Sequence, residues 1–334
     1  MSELVVARPV LEGAGPQGHD AFGAFVRSGA VLETKAFSGL SGDAGGYAVP
    51  REIDAVIDAT LKSASPIRSI ANVVQVGSAG YRKLVTTGGT PSGWAAENGA
   101  RTETATPTFV EIAPPMGELY ANPSATQAML DDALFDVEAW LAGEIAAEFA
   151  KAEGAAFVNG NGTSRPKGFL TQPTAAIADA TRAFGTLQYV ASGAASDFGS
   201  NPQERLIDLV QSLRAPYRQG AHFVMNAATL ARIRKFKTSD GAFVWQPSLA
   251  AGQPATLLGY PVIEAEDMPD IAANALAIAF GNFRAGYLIA ERQETVILRD
   301  PYSNKPFVNF YATKRVGGCV SNSEAIKLMK FAVS

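Results

Sequence analysis

The sequence predicts an α+β fold, and three observations predict it. One long stretch, LFDVEAWLAGEIAAEFAKAEGAAFV (134–158), keeps a helical period without interruption. Upstream, two alternating runs flank a long polar insert at 88–107, as in a projecting hairpin. Downstream of residue 220, short apolar runs punctuated by Gly, Pro and Asn follow one another as strands. Helices first and mostly antiparallel strands afterwards is the α+β order. At 334 residues the chain exceeds what one core usually holds, so two lobes are expected.

Residues 1–44 are rich in Gly, Ala and Ser and lack a sustained apolar period; AFGAFVRSG (21–29) is their one candidate helix. Such a segment reads as an extended arm that orders only against another surface. GGYAVP (45–50) ends it, and REIDAVIDATLKSASP (51–66) reads as a helix stopped by Pro66. From Val73 the period falls to two: VVQVGSAGYRKLVTT and TFVEIAPPMGELY are expected strands around GGTPSGWAAENGARTETATP. A loop of that length is usually functional. A hairpin projecting from a domain cannot bury both its faces, so something else must cover it.

In the long helix, apolar residues fall at 134, 137, 141, 145, 149, 152 and 156, steps of three and four throughout. Asp131, Asp132 and Asp136 at its start and Lys151 toward its end suit the helix dipole. Its length, at ~1.5 Å per residue, is roughly 35–40 Å. FVNGNGTSRPKGFL (157–170) then has the glycines and cations of a phosphate loop, but it ends a helix where a phosphate cradle must begin one. GxxxxGK[ST] is also absent, so the loop turns a corner.

After an Ala/Ser/Gly-rich connection at 174–200, NPQERLIDLVQSL (201–213) reads as a helix, AHFVMN (221–226) as a buried strand and ATLARIRKFK (228–237) as a helix. LLGYPVIEA, ALAIAFGNF, GYLIAE, TVILRD, VNFYATKRVGG and AIKLMKFAV are the remaining strand candidates.

Catalytic patterns are missing. The two histidines, His19 and His222, lie in the arm and at a strand start, and neither HExxH nor GxSxG occurs. The single cysteine, Cys319, rules out an internal disulfide and reads as a small packed residue. A net charge of −4 gives no global attraction for nucleic acid or anionic membranes. No apolar run approaches the ~20 residues of a membrane span, so a soluble protein made in a reducing compartment is expected. One basic stretch stands out: Arg214, Arg218, Arg232, Arg234, Lys235 and Lys237 lie between Asp208 and Asp240 with no carboxylate among them. A basic helix with Phe236 is compatible with weak contact to nucleic acid backbones, with a solvated face, or with acidic groups of a neighbouring subunit.

Taken in order, GGYAVP, SPIRSIANVV, GWAAENGARTETATPTF, AWLAGEIAAEFAKAEGAAFVNGNGTSRPKGFL, HFVMNAATLARIRKF, LLGYPVIEAEDMP and IAFGNFRAGYLIAER resemble the major capsid proteins of tailed bacteriophages, the Hong Kong 97-type fold. The resemblance runs from about residue 45 to the C-terminus, and small alanine-rich variants of this type also resemble the capsids of alphaproteobacterial gene transfer agents.

The resemblance implies an N-terminal arm (1–44), a lead-in segment of the peripheral (P) domain (45–75) and an extended E-loop (76–118). It further implies a P domain (119–200) with a spine helix (131–158), an axial (A) domain (201–318) and a C-terminal P-domain strand (319–334). The implied function is self-assembly into the pentamers and hexamers of an icosahedral-type shell around double-stranded DNA, without catalysis, cofactor or metal. An encapsulin-like compartment holding a cargo enzyme is the alternative. Implied partners are other copies, portal and other head proteins, and DNA held without sequence preference, with no membrane. The implied location is the particle head, assembled in the bacterial cytoplasm. Arg82, Lys83, Trp94, Glu97, Arg101 and Glu103 become the expected intersubunit contacts of the E-loop, with Trp94 as the buried anchor. Arg232, Arg234, Lys235 and Lys237 become a weak DNA or intersubunit patch. Many relatives carry a helical scaffolding segment ahead of the arm; residues 1–44 show no heptads, so a matured form or a separate scaffold is expected. Lys83 lies near the hairpin base and not at its tip, so no covalent crosslink is expected.

Overall fold

A computed structural model describes residues 65–333 except 78–79, 90–91, 96, 99–100, 102, 127–136, 238–255, 293–294 and 301. The expected arm, the helix at 21–29 and most of that at 51–66 lie outside the described residues, as do Asp131, Asp132 and Asp136. The chain divides into two compact units.

The larger unit contains, among the described residues, 65–119, 147–292 and 314–333. Its centre is a seven-stranded sheet ordered β6 (Thr174–Ala175), β7 (Leu187–Ala191), β15 (Ile326–Lys330), β11 (Ile278–Gly281), β8 (His222–Met225), β10 (Tyr260–Glu264) and β9 (Thr256–Leu257). Alternate residues of the central strands feed two cores. Phe223, Met225, Ile278, Phe280 and Met329 meet Leu206, Leu209 and Val210 of α3 (Pro202–Ser212) and Leu230 and Ile233 of α5 (Ala227–Arg234). Val224, Ala279, Ile326 and Leu328 meet Ile67, Phe157, Val158, Phe283 and Tyr287. A sheet covered on both faces needs strands that are apolar throughout, which is why HFVM and IAFG show no alternation.

Half of this sheet departs from the antiparallel expectation. β6–β7, β7–β15 and β8–β10 are parallel, while β15–β11, β11–β8 and β10–β9 are antiparallel. For β8–β10 the crossover is the reason: α5 lies between the two strands in the chain, and a parallel pair needs such a connection. The connection at 174–200, expected to be irregular, contributes β6 and β7. β15 sits between β7 and β11, so one sheet joins residues from 187–191, 222–281 and 326–330.

Pro66 starts a helix, and the helix expected to end at it lies, but for its last two positions, outside the described residues. The short helix α1 (Pro66–Ile70) has Pro66 in its first turn, where the missing N–H costs nothing. β1 (Asn72–Val76) follows and pairs in parallel with β12 (Tyr287–Arg292). β12 pairs antiparallel with the C-terminal part of β14 (Phe307–Val320), from Tyr287↔Val320 to Glu291↔Val316. Each alternating run expected as one strand is two. β2 (Lys83–Thr87) is separate from β1, and β3 (Thr108–Ile112) is divided from β4 (Met116–Ala121) by Pro114 and Pro115.

The smaller unit contains, among the described residues, 120–126, 137–146 and 295–313. Within it the N-terminal part of β14 lies between β13 (Val296–Asp300) and β5 (Ser124–Thr126), because Asn309 pairs with both Asp300 and Ser124. Val308, Phe310 and Ala312 are buried, while Phe307 and Tyr311 are exposed.

The long helix α2 is described over Val137–Asn159. Leu141, Ile145 and Phe149 are buried as the period predicts, but Ala152 is exposed and the stripe continues through Glu153, Phe157 and Val158. The buried positions 141, 145, 149, 153 and 157 step by four throughout, so the stripe winds gradually around a helix of about 3.6 residues per turn. Gly160 closes the helix. Its N–H donates to Ala156 O and its Cβ position would collide with the Pro166 and Ala156 carbonyl oxygens, so no larger residue fits this corner. The chain reverses through an Asn161–Lys167 bridge, with Asn161 Oδ1 accepting from Thr163 N. Among the described residues no helix is long and apolar enough to cross a membrane, and no His/Cys/Asp/Glu group has metal-site geometry.

Candidate assembly surface

The hairpin β2–β3 pairs antiparallel from Lys83↔Ile112 to Thr87↔Thr108 and has no third strand among the described residues. Alternation places Leu84, Thr86, Phe109 and Glu111 on one face and Val85, Val110 and Ile112 on the other. Both faces are therefore partly apolar; Leu84 and Phe109 are exposed on the first, while Val85 and Ile112 are half-buried on the second. Leu84 is 68% exposed, Phe109 66% and Trp94 fully exposed. A tryptophan in open water contributes nothing to its own subunit's core.

The other expected contact residues divide by position. Glu97, Arg101 and Glu103 are exposed along the connection between the strands and form no ion pair among the described residues. Arg82 pairs instead within the hairpin, its Nη1 2.6 Å from Glu111 Oε1, an exposed pair of the kind worth ~0–1 kcal/mol. Lys83, at the base, is half-buried. Burial pushes the Cys319 thiol up to about 11 against the opposing pull of Lys167 and Lys83, so the thiol is protonated and inert at neutral pH.

Beneath the hairpin lies a feature that motif searching missed. Arg68, Glu153, Glu291 and Lys314 form a closed ring of alternating charge. Arg68 Nη1 lies 3.1 Å from Glu153 Oε2 and Arg68 Nη2 contacts Glu291 Oε2. Lys314 Nζ lies 3.3 Å from Glu153 Oε1 and 2.9 Å from Glu291 Oε1. No side chain of the ring is more than 8% exposed. Burial raises the Glu291 carboxyl, but Lys314 and then Arg68 outweigh it and hold the group below its ordinary range. A signal was present in the sequence. Glu153 stands four residues from both Phe149 and Phe157, Lys314 alternates with buried Ala312 and Val316, and Glu291 ends the apolar run YLIA. A charge on an apolar face must be paired, and four such faces pair with one another.

A second buried cation sits in the seven-stranded sheet. Lys327 Nζ contacts Asp179 Oδ1 and donates to Gln188 Oε1 at 2.9 Å, while Arg182 Nη2 reaches the same Asp179 oxygen at 2.6 Å. Arg182 also donates to the Ile177, Thr186 and Ser323 carbonyls, which pins the loop at 177–186.

The basic stretch finds its carboxylates elsewhere in the chain. Arg232 Nη1 is 3.5 Å from Asp197, and Arg214 meets Asp179 and Glu324. Arg234, Lys235 and Lys237 are exposed, and Arg234 and Lys237 also have interactions of their own. Phe236 packs edge-on against Phe198 at 4.9 Å between ring centroids, which removes it as a stacking platform for bases.

Residues 45–331 match the model of the phage capsid family. Among solved structures, the capsid of a native GTA (gene transfer agent) particle is 48% identical, with a TM-score of 0.74 over 91% of this chain and 95% of that one. The capsid of an empty GTA particle is 46% identical, with a TM-score of 0.76 over 93% and 97%. A chain of Mycobacterium phage Cain is 15% identical, with a TM-score of 0.54 over 80% and 90%, a likeness of fold alone. A comparison with curated protein sequences gives no match. The mixed sheet, long helix and projecting hairpin are the Hong Kong 97-type capsid fold. A family model spanning most of the chain and two structures near half identity agree: the chain belongs to the phage capsid family.

Proposed function

We propose that this chain is the major capsid (head) protein of a gene-transfer-agent-like or tailed-phage particle. Copies of it close into pentamers and hexamers of an icosahedral-type shell around double-stranded DNA. The observation that carries this is the hairpin: its exposed Leu84 and Phe109 and the fully exposed Trp94 have no cover among the described residues, and another copy supplies it. The near-complete overlap with two GTA capsid chains supports the same reading and favours it over an encapsulin-like compartment. Head-to-tail contacts of this kind close into rings when the rotation allows.

In this proposal residues 76–118 reach the adjacent subunit, Trp94 seats in a pocket there, and Glu97, Arg101 and Glu103 set register at the rim. Residues 201–318 surround the local symmetry axis, and 119–200 with 319–334 form the periphery. The subunit works without catalysis, in the particle head, after assembly in the bacterial cytoplasm beside portal and other head proteins. DNA is enclosed without sequence preference. A net charge of −4 and the engagement of Arg214 and Arg232 by their own chain's carboxylates leave little to grip phosphates. Lys83 forms no isopeptide bond, so boiled shells run as a single monomer band. Expression of the chain and negative-stain microscopy test the reading. Closed shells with co-purified nucleic acid are expected; a monomer by light scattering, or shells filled with a cargo enzyme, would overturn it.

A further inference from the structure

The charge ring stands where both ends of the hairpin join the body. Arg68 lies on α1, immediately ahead of β1, the strand that leads into the hairpin. Glu291 lies on β12, paired with Gln75 of β1. Lys314 lies on β14, which also pairs with β4, the strand that leads out, and its neighbour Arg315 binds Glu118 of β4 at 3.1 Å. Glu153 brings in the long helix. Four separate segments thus meet at one point, each through a single charged side chain.

We propose that Arg68, Glu153, Glu291 and Lys314 are positioning residues: the ring sets the direction in which the hairpin leaves the body, so that its tip meets the next copy in register. The inference rests on the shell reading above.

Three arguments support it. Each glutamate oxygen in the ring faces one cation, so a slip of any segment leaves a buried charge without its partner. Apolar contacts tolerate sliding; this arrangement does not. Secondly, stability alone does not require it, because buried ion networks replaced by packed apolar residues are often as stable or more so. What charges add over hydrocarbon is discrimination between alternative packings. Thirdly, the hairpin is a lever. From Lys83 to Trp94 the chain reaches at most ~36 Å at ~3.3 Å per residue, so a tilt of about 5° at the root moves the tip by ~3 Å. That displacement removes an aromatic anchor from its pocket.

The test combines two variants with two measurements. The quadruple variant Arg68→Met, Glu153→Leu, Glu291→Leu, Lys314→Met replaces the ring with apolar residues, and Glu153→Asp keeps the charge but withdraws it. In both, amide hydrogen exchange at 72–76 and 116–119 is expected to rise at least tenfold while 278–281 stays protected. The quadruple variant keeps or raises the thermal midpoint, and the yield of closed shells drops at least tenfold in favour of open or mixed-size assemblies. Unchanged exchange at the two roots, or shells of ordinary yield and size, would overturn the proposal. Failure of the quadruple variant to fold would assign the ring to stability and overturn it as well. Should the unsubstituted chain form no shells, the shell reading fails, while the exchange measurement still decides what the ring does.

Discussion

Replacing Trp94 with alanine separates the two roles a tryptophan can have. Its side chain is fully exposed in the single subunit, so truncation removes no internal contact and the unfolding midpoint should not move. In the proposed shell contact the same side chain is buried. A tryptophan contributes about 200 Å² of surface, worth ~5 kcal/mol at ~25 cal/mol per Å² if wholly removed from water. Seating only half of it leaves about 2.5 kcal/mol per contact, a ~70-fold weakening. Every subunit makes the contact once, so the concentration at which shells form should rise by at least tenfold. Light scattering against protein concentration, with circular dichroism on the unassembled chain, reads both quantities. An unchanged assembly threshold refutes the anchor, and a lowered unfolding midpoint refutes the premise that the side chain is free in the subunit.

Three further outcomes follow from groups inside the larger unit. Asp179→Asn leaves Lys327 with Gln188 as its hydrogen-bond partner, beside two guanidinium groups and with Glu324 as the remaining carboxylate, and should cost about 3–5 kcal/mol in urea unfolding; a loss under about 1 kcal/mol would mean the ammonium is not ionised there. Glu291 is held below its ordinary 4.5, so the stability it supplies is complete above that value and disappears as pH falls through the lower folded value. Urea midpoints should lose this contribution only below about pH 4.5, and Glu291→Gln should flatten that acid limb; an acid limb unchanged in the variant contradicts the assignment. Gly281→Ala drives a methyl into the Ala325 carbonyl oxygen and to 2.8 Å from Ile326 Cα, across the β11–β15 pairing. It should destabilise by about 1–3 kcal/mol, whereas Gly143→Ala, with open space around it, should not.

How far the sequence reached depended on whether neighbours in the chain are neighbours in space. α3 and β8 were legible to within one residue and α5 to within three, because a proline start and short apolar runs are local signals. Asn226 also caps α5, its Oδ1 accepting from Thr229 N. The helix that begins at Pro66 was not legible, because a proline that can end one helix can also begin the next. Strand direction was not legible, since β15 pairs parallel with β7 from far upstream and antiparallel with β11, and no local pattern encodes that choice. The hairpin could be placed because its polar insert is long and its flanks alternate. The ring beneath it could not, because its directly paired members are separated by up to 223 residues and each alone looks like a stray charge on an apolar face.

A monomer places its apolar side chains inside and its charges outside; this subunit also does the reverse in one region. Leu84, Phe109 and Trp94 face outward, while Arg68, Glu153, Glu291 and Lys314 are sealed within. The two inversions are complementary in what they supply. Apolar burial is strong but non-directional, so a hairpin held only by such contacts would join copies at many angles. Buried charge adds little net energy but tolerates one geometry, so it selects among those angles. A closed shell needs both, since each error in angle is repeated at every contact and compounds around the ring until it fails to close. The strength of the contact is therefore set at the tip of the hairpin, and its accuracy at the root.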